Sequence, residues 1–211
     1  MEKPAPTREE IHALIRSRWS PRAFSSQPLA EVELRRLFEA ARWAPSSFNE
    51  QPWRFLVARR GDRERFDAML GCVFEKNRLW AGAAPVLALS VAGTRFSGNG
   101  AVNRHAFHDV GLAVGQLTTQ ATAMGLVLHQ IAGFDAEAAR ITYEIPEHFE
   151  PVAVLAIGYP GDPEELPDTL RAKEAAARRR LPLEEIVFEG RWEQACGFAG
   201  EGELAPKPGE S

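Results

Sequence analysis

Short apolar runs alternate along this chain with stretches of helical periodicity. Residues 85–92 (PVLALSVA) are continuously apolar and bounded by Pro85 and Gly93, which predicts a strand covered on both faces. Residues 151–159 (PVAVLAIGY) repeat the pattern, and residues 53–58 and 126–131 predict two further strands. Residues 103–125 predict the longest helix, with Val110, Ala113, Val114, Leu117, Ala121 and Met124 on one stripe and Gly125 just past its end. Gly111, Ala113, Gly115, Ala121 and Ala123 keep that helix thin enough for a close neighbour. Residues 29–43, after Pro28, predict a second helix with Val32, Leu34, Leu37, Phe38 and Ala41 inward. Thr7 and Glu10 have capping-box spacing for a helix to about residue 17, with Ile11, Leu14 and Ile15 on its apolar face. Asp62 and Asp135 open short helices, and a further helical piece runs to about residue 81. Residues 172–180 predict a basic helix and residues 183–188 a late strand. Such irregular interleaving favours an α+β architecture over a doubly wound parallel sheet.

The 211 residues suffice for one full core, so a single domain over residues 1–196 is expected, followed by a flexible Gly/Pro/Glu-rich tail over residues 197–211. A net charge of −4 argues against a general nucleic-acid binder. The N-terminus lacks the apolar core of a signal peptide, and the longest strongly apolar run is too short to span a bilayer. Cys72 and Cys196 are far apart with no CxxC; they read as reduced thiols, with one disulfide as the alternative. A cytoplasmic protein is the expectation.

The usual signatures of phosphate cradles and hydrolytic sites are absent: no GxGxxG, P-loop, GxSxG or HExxH occurs. His105 and His108 lie beside Asp109 without a visible third partner, so no metal site is expected. Chemistry concentrates instead in two places. PSSFNEQPW, residues 45–53, packs serines, an Asn and a Gln between a helix ended by Pro45 and a strand. It reads either as a binding loop or as a solvated connector with turn chemistry. Arginines form the second feature: Arg16, Arg18 and Arg22 near the start, Arg178, Arg179 and Arg180 near the end. Guanidinium forks suit phosphate oxygens, although a charge run is more often a solvated face.

Four segments decide between these readings. RSRWSPRAF, AARWAPSSFNEQPWRFLV, HDVGLAVGQLTTQATAMGLVLHQIAGFD and RRRLPLEEIVFEGRW resemble the FMN-dependent nitroreductase family in order and spacing, over about residues 7–192. The resemblance implies a mixed, mainly antiparallel sheet flanked by helices, in an intertwined homodimer with two FMN molecules at the interface. It implies that Arg18 and Ser20 grip the phosphate and ribityl end, and that Arg178 and Arg180 close on the phosphate. Arg22 would reach N1 and O2 of the ring, where a fixed cation favours the negative charge that gathers on reduction. Pro45, Ser46, Ser47, Asn49 and Gln51 would come from the partner subunit and lie against ring and ribityl chain. The backbone of Ile131, Ala132 and Gly133 would face N5 and O4; some relatives carry Glu where Ala132 stands, and the contact there is main-chain. Arg78 lines up with a second basic residue near N1 and O2, and Asn77 with a nearby Asn, in a loosely matching stretch.

The implied activity is two-electron, ping-pong reduction of nitroaromatics, quinones or similar electron-poor acceptors by NADH or NADPH. No side-chain acid or base is required. A flavin-fragmenting or dehalogenating enzyme of the same fold, and a flavin-binding redox-sensing module, are the alternatives. Pocket walls are expected from residues 71–80 and 93–107, where Phe74, Trp80, Phe96 and Phe107 read either as lining or as core.

Overall fold

A computed structural model describes residues 2–200. Its centre is a sheet of four strands, β1 (Trp53–Arg59), β2 (Val86–Gly93), β3 (Val127–Ile131) and β4 (Phe149–Gly158), in the order β1-β2-β4-β3. Every pairing is antiparallel, so the mixed sheet expected from the resemblance is not what the described residues of one chain form. The two longest apolar runs become the two central strands, and β2 is buried along its whole length. Burial on both faces is why those runs do not alternate.

The faces of β2 divide the core. Leu87, Leu89 and Val91 pack with Phe66, Met69 and Trp80 under α3 (Arg63–Cys72), α4 (Glu75–Ala81) and α6 (Ala136–Thr142). Val86, Ala88 and Ala92 pack with Leu37, Val110 and Leu117 under α2 (Glu31–Arg42) and α5 (Ala106–Ala123). Asp62 and Asp135 cap α3 and α6 through side-chain bonds to Arg65 N and Ala138 N, as their positions predict. Gly125 takes φ +72° after α5, the left-handed conformation a Cβ disfavours.

Four expectations are corrected. Thr7 does not open a helix; α1 is only Ala13–Ser17, capped by His12 Nδ1. Residues 7–10 are all exposed, and Ala5 N donates to Arg16 O at 2.7 Å, so the chain runs back along α1 instead. A capping box contributes only about 1 kcal/mol, and it loses because the expected apolar face is poorly buried: Ile11 and Leu14 are half-buried and Ile15 is exposed. Val32 is exposed, because five residues from Leu37 is about 140° round the helix. The basic helix α7 is Asp168–Ala175 and stops before the arginines: Arg178 Nη1 donates to the carbonyls of Lys3 (2.9 Å) and Arg16 (3.1 Å), holding the chain out of helix. The late strand is instead a turn of 3-10 helix, Leu183–Glu185, with an isolated bridge between Phe188 and Ala195.

Cys72 and Cys196 are buried free thiols. Of the expected tail, residues 201–211 lie outside the described residues; in 197–200, Ala199 N donates to Cys196 O at 2.9 Å. Among the described residues no helix is long and apolar enough to cross a membrane.

Candidate functional site

The two basic segments, some 160 residues apart in sequence, meet in space. His129 on β3 fixes the first: its Nδ1 lies 2.9 Å from Pro21 O, which lays residues 18–22 against the strand leading into Ile131. Burial, then the nearby Arg22 charge, holds this imidazole below its usual pKa, so it is neutral and Nδ1 donates. Arg18 Nη1 donates to Ser20 Oγ at 3.3 Å. Arg18 is pushed below the usual guanidinium range by burial and then by Arg180; Arg178 is pushed down by burial, then by Arg18 and Arg180. Three guanidinium groups thus converge beside a hydroxyl, and none of them pairs with a carboxylate among the described residues. Uncompensated cations held together suit a multiply charged anion, and a phosphate monoester fits that donor set.

The Ile131–Ala132–Gly133 turn begins two residues beyond His129, where β3 ends. The Gly133 carbonyl accepts from Phe74 N (3.0 Å) and Asn77 Nδ2 (3.2 Å), and a Cβ on Gly133 would run into the Asn77 amide. Asn77 is therefore the α4 residue that braces the turn, while Arg78 is exposed. Of the candidate lining aromatics, Trp80 is core; Phe74 and Phe107 are half-exposed.

The 45–51 loop does not join this cluster within the chain. It leads into β1 at one sheet edge, whereas residues 131–133 leave β3 at the other. Three strand spacings, about 14 Å, separate the two edges. The loop is nonetheless built: Phe48, Asn49 and Gln51 all have φ between 51° and 55°, a region costly for side-chain-bearing residues. Gln51 N donates to Ser46 Oγ (3.0 Å), Gln51 Nε2 to Asn49 O (3.0 Å), and Ser47 N to Asp109 Oδ2 (2.9 Å). Asp109 is buried on α5, and its other oxygen lies 3.0 Å from His108 Nδ1. Asp109→Ala is expected to destabilise the fold by about 2 kcal/mol in urea denaturation, whereas Asp109→Asn, which keeps an acceptor, should recover most of that.

Residues 15–159 match the Nitroreductase family. The chain belongs to the nitroreductase family. It is 34% identical over 145 residues to an uncharacterized 15.4 kDa protein of Mycolicibacterium smegmatis, covering 66% of this chain and 97% of that protein. A crystal structure of an oxidoreductase containing FMN superposes with a TM-score of 0.84 at 32% identity, covering 89% of this chain and 96% of that one. A nitroreductase family protein from Clostridium difficile shares the fold at 22% identity, with a TM-score of 0.67 over 87% of this chain and 100% of that one.

Two residues central to the site escape a reading of the sequence. Glu174 stands alone among basic and small residues and reads as helix surface, yet it is buried beneath the first basic segment. Asp109 reads as a helix-surface neighbour of two histidines, and its bond to Ser47 spans 62 positions. The available signal was, for Glu174, a single acid in the predicted basic helix and, for Asp109, an acid next to the stripe residue Val110.

Proposed function

We propose that this nitroreductase-family chain is an FMN-dependent oxidoreductase that uses NADH or NADPH to reduce nitroaromatics, quinones or similar electron-poor acceptors, and that it works as a homodimer. The observation that carries this reading is the trio Arg18, Arg178 and Arg180 beside Ser20, which has no carboxylate partner among the described residues and includes a segment laid against β3 through Pro21 and His129. When bound, FMN supplies the two-electron chemistry between nicotinamide and acceptor. The chain's part is positional. Arg18, Ser20, Arg178 and Arg180 hold the phosphate. Arg22 places a cation at the pyrimidine edge. The Ile131–Gly133 backbone presents donors to N5 and O4, and Asn77 keeps that turn in place.

A second copy is needed to complete such a site, because the 45–51 loop lies across the sheet from the arginines. Several surfaces support pairing. Gly111 and Gly115 on α5 face open space, and Phe107 on the same helix is exposed. Beyond Arg180, Leu181, Ile186 and Trp192 are 63%, 55% and 80% exposed, more apolar surface than a lone chain end ordinarily shows. A groove of about 910 Å³ runs beside β1, a free sheet edge, among Val32, Phe38, Trp43 and Val57. Arg18, Arg178 and Arg180 are not among its lining residues, and it is suited to receiving a partner's chain end.

The test is direct. Purified protein should take up one FMN per chain and run as a dimer. Under anaerobic conditions NADH or NADPH should bleach the flavin, and an added quinone or nitroaromatic should restore its colour. Protein that stays colourless with excess FMN and runs as a single chain rules the reading out. Flavin that is bleached but not restored by any organic acceptor points to a redox-sensing module.

A further inference from the structure

Glu174 is 1% exposed, and its position is unusual for a carboxylate. Oε1 accepts from the backbone N–H groups of Arg22 (2.8 Å) and Ala23 (3.2 Å), residues more than 150 positions away. Oε2 is buried without a hydrogen-bond partner and lies 3.8 Å from Arg22 Nη1. The Glu174 carbonyl also accepts from Lys3 Nζ. Tying α7 to the first basic segment needs only a neutral acceptor. A buried charge costs far more than a buried amide and is tolerated only when paired. The cation that its side chain meets is Arg22.

Arg22 is itself confined. Its guanidinium sits 5.9 Å from the centre of the Trp80 ring, and Trp80 is buried against His129 at 4.5 Å. The imidazole is neutral, so the charged neighbour of Arg22 in this cluster is Glu174. We propose that Glu174 is a positioning residue for Arg22: it fixes the backbone that carries the guanidinium and offsets part of its charge, thereby setting how strongly the site favours reduced flavin. This inference rests on the proposed FMN function and adds to it a residue that touches no cofactor atom.

The two roles separate by substitution. Glu174→Gln keeps an acceptor for the two N–H groups and removes the charge. The expected result is FMN affinity within about threefold of the parent and a midpoint potential of bound FMN shifted to more positive values. In an Arg22→Ala background the same change should leave the potential where Arg22→Ala puts it. Glu174→Asp keeps the charge but shortens the reach; it should weaken FMN retention with the potential near the parent's. Glu174→Ala removes the acceptor as well and should weaken retention at least about tenfold. An unchanged potential in Glu174→Gln, or a shift that persists without Arg22, overturns the proposal. So does a shift in Glu174→Asp as large as in the Gln variant. Failure of the parent itself to take up FMN strikes the proposed function instead. The FMN-free protein then still tests the tie: Glu174→Ala should lower the melting temperature more than Glu174→Gln, and equal losses overturn it.

Discussion

Arg18→Ala is expected to weaken FMN retention about a hundredfold while leaving the FMN-free protein at least as heat-stable as the parent. Both halves follow from the same geometry. Arg18 lies beside Ser20 and close enough to Arg178 and Arg180 for their charges to oppose one another. A guanidinium fork on a phosphate makes two charge-assisted bonds, and losing them costs about 3 kcal/mol of binding, or a hundredfold. Without the anion, the same guanidinium contributes repulsion and partial desolvation and meets no carboxylate among the described residues. Its removal should relieve the remaining pair. Flavin fluorescence titration measures the first effect and thermal unfolding of the FMN-free protein the second. Inorganic phosphate should raise the melting temperature of the parent more than that of the variant. A loss of several degrees in FMN-free Arg18→Ala would show that the trio is a structural cluster and not an anion cradle.

That trio also marks where the sequence was readable. Both basic segments, the serine-rich loop and the turn at Gly133 can be picked out by residue type, because phosphate, amide-rich loops and tight turns each demand particular chemistry. The central strands were equally plain, since burial on both faces leaves long runs that are almost wholly apolar, broken only by Ser90 in β2 and by Glu150 near the start of β4. Sequence misjudged the places where a distant partner overrides a local preference. Thr7 and Glu10 have the right spacing to start a helix, but Ala5 bonds to Arg16 and the box stays open. Residues 176–180 have good helix propensity, but Arg178 is drawn to Lys3 and Arg16. The late apolar run at 183–188 has strand composition and no strand beside it within the described residues. Strand propensity is expressed only against a neighbour, and one chain does not supply it.

Gly161→Ala is expected to be the most damaging of the small substitutions, at about 3 kcal/mol, or a fall of about 6 to 12 °C in melting temperature. The cause is contact, not conformational freedom, because Gly161 does not adopt a left-handed φ. A Cβ there would lie 2.6 Å from Phe24 O and 2.8 Å from Phe24 N, atoms of the main chain that cannot rotate away. Gly161 N donates to Ala23 O at 3.0 Å, and Phe24 bridges to Pro160, so the two backbones are laced together at the clash. Relief requires moving residues 23–24, which follow Arg22 directly, and Ala23 N shares the Glu174 Oε1 acceptor with Arg22 N. FMN retention should therefore fall along with stability. Gly111→Ala makes the same chemical change on α5, where a Cβ meets nothing within 4 Å. It should stabilise the isolated chain by about 0.5–1 kcal/mol, as Ala for Gly does in a helix. If the α5 face is the dimer surface, Gly111→Ala should instead weaken dimerisation and leave the Phe24 segment untouched. Urea denaturation, sedimentation and flavin titration on the two variants distinguish these effects. Equal stability losses in both would mean that the approach of Phe24 to Gly161 is looser than 2.6 Å implies.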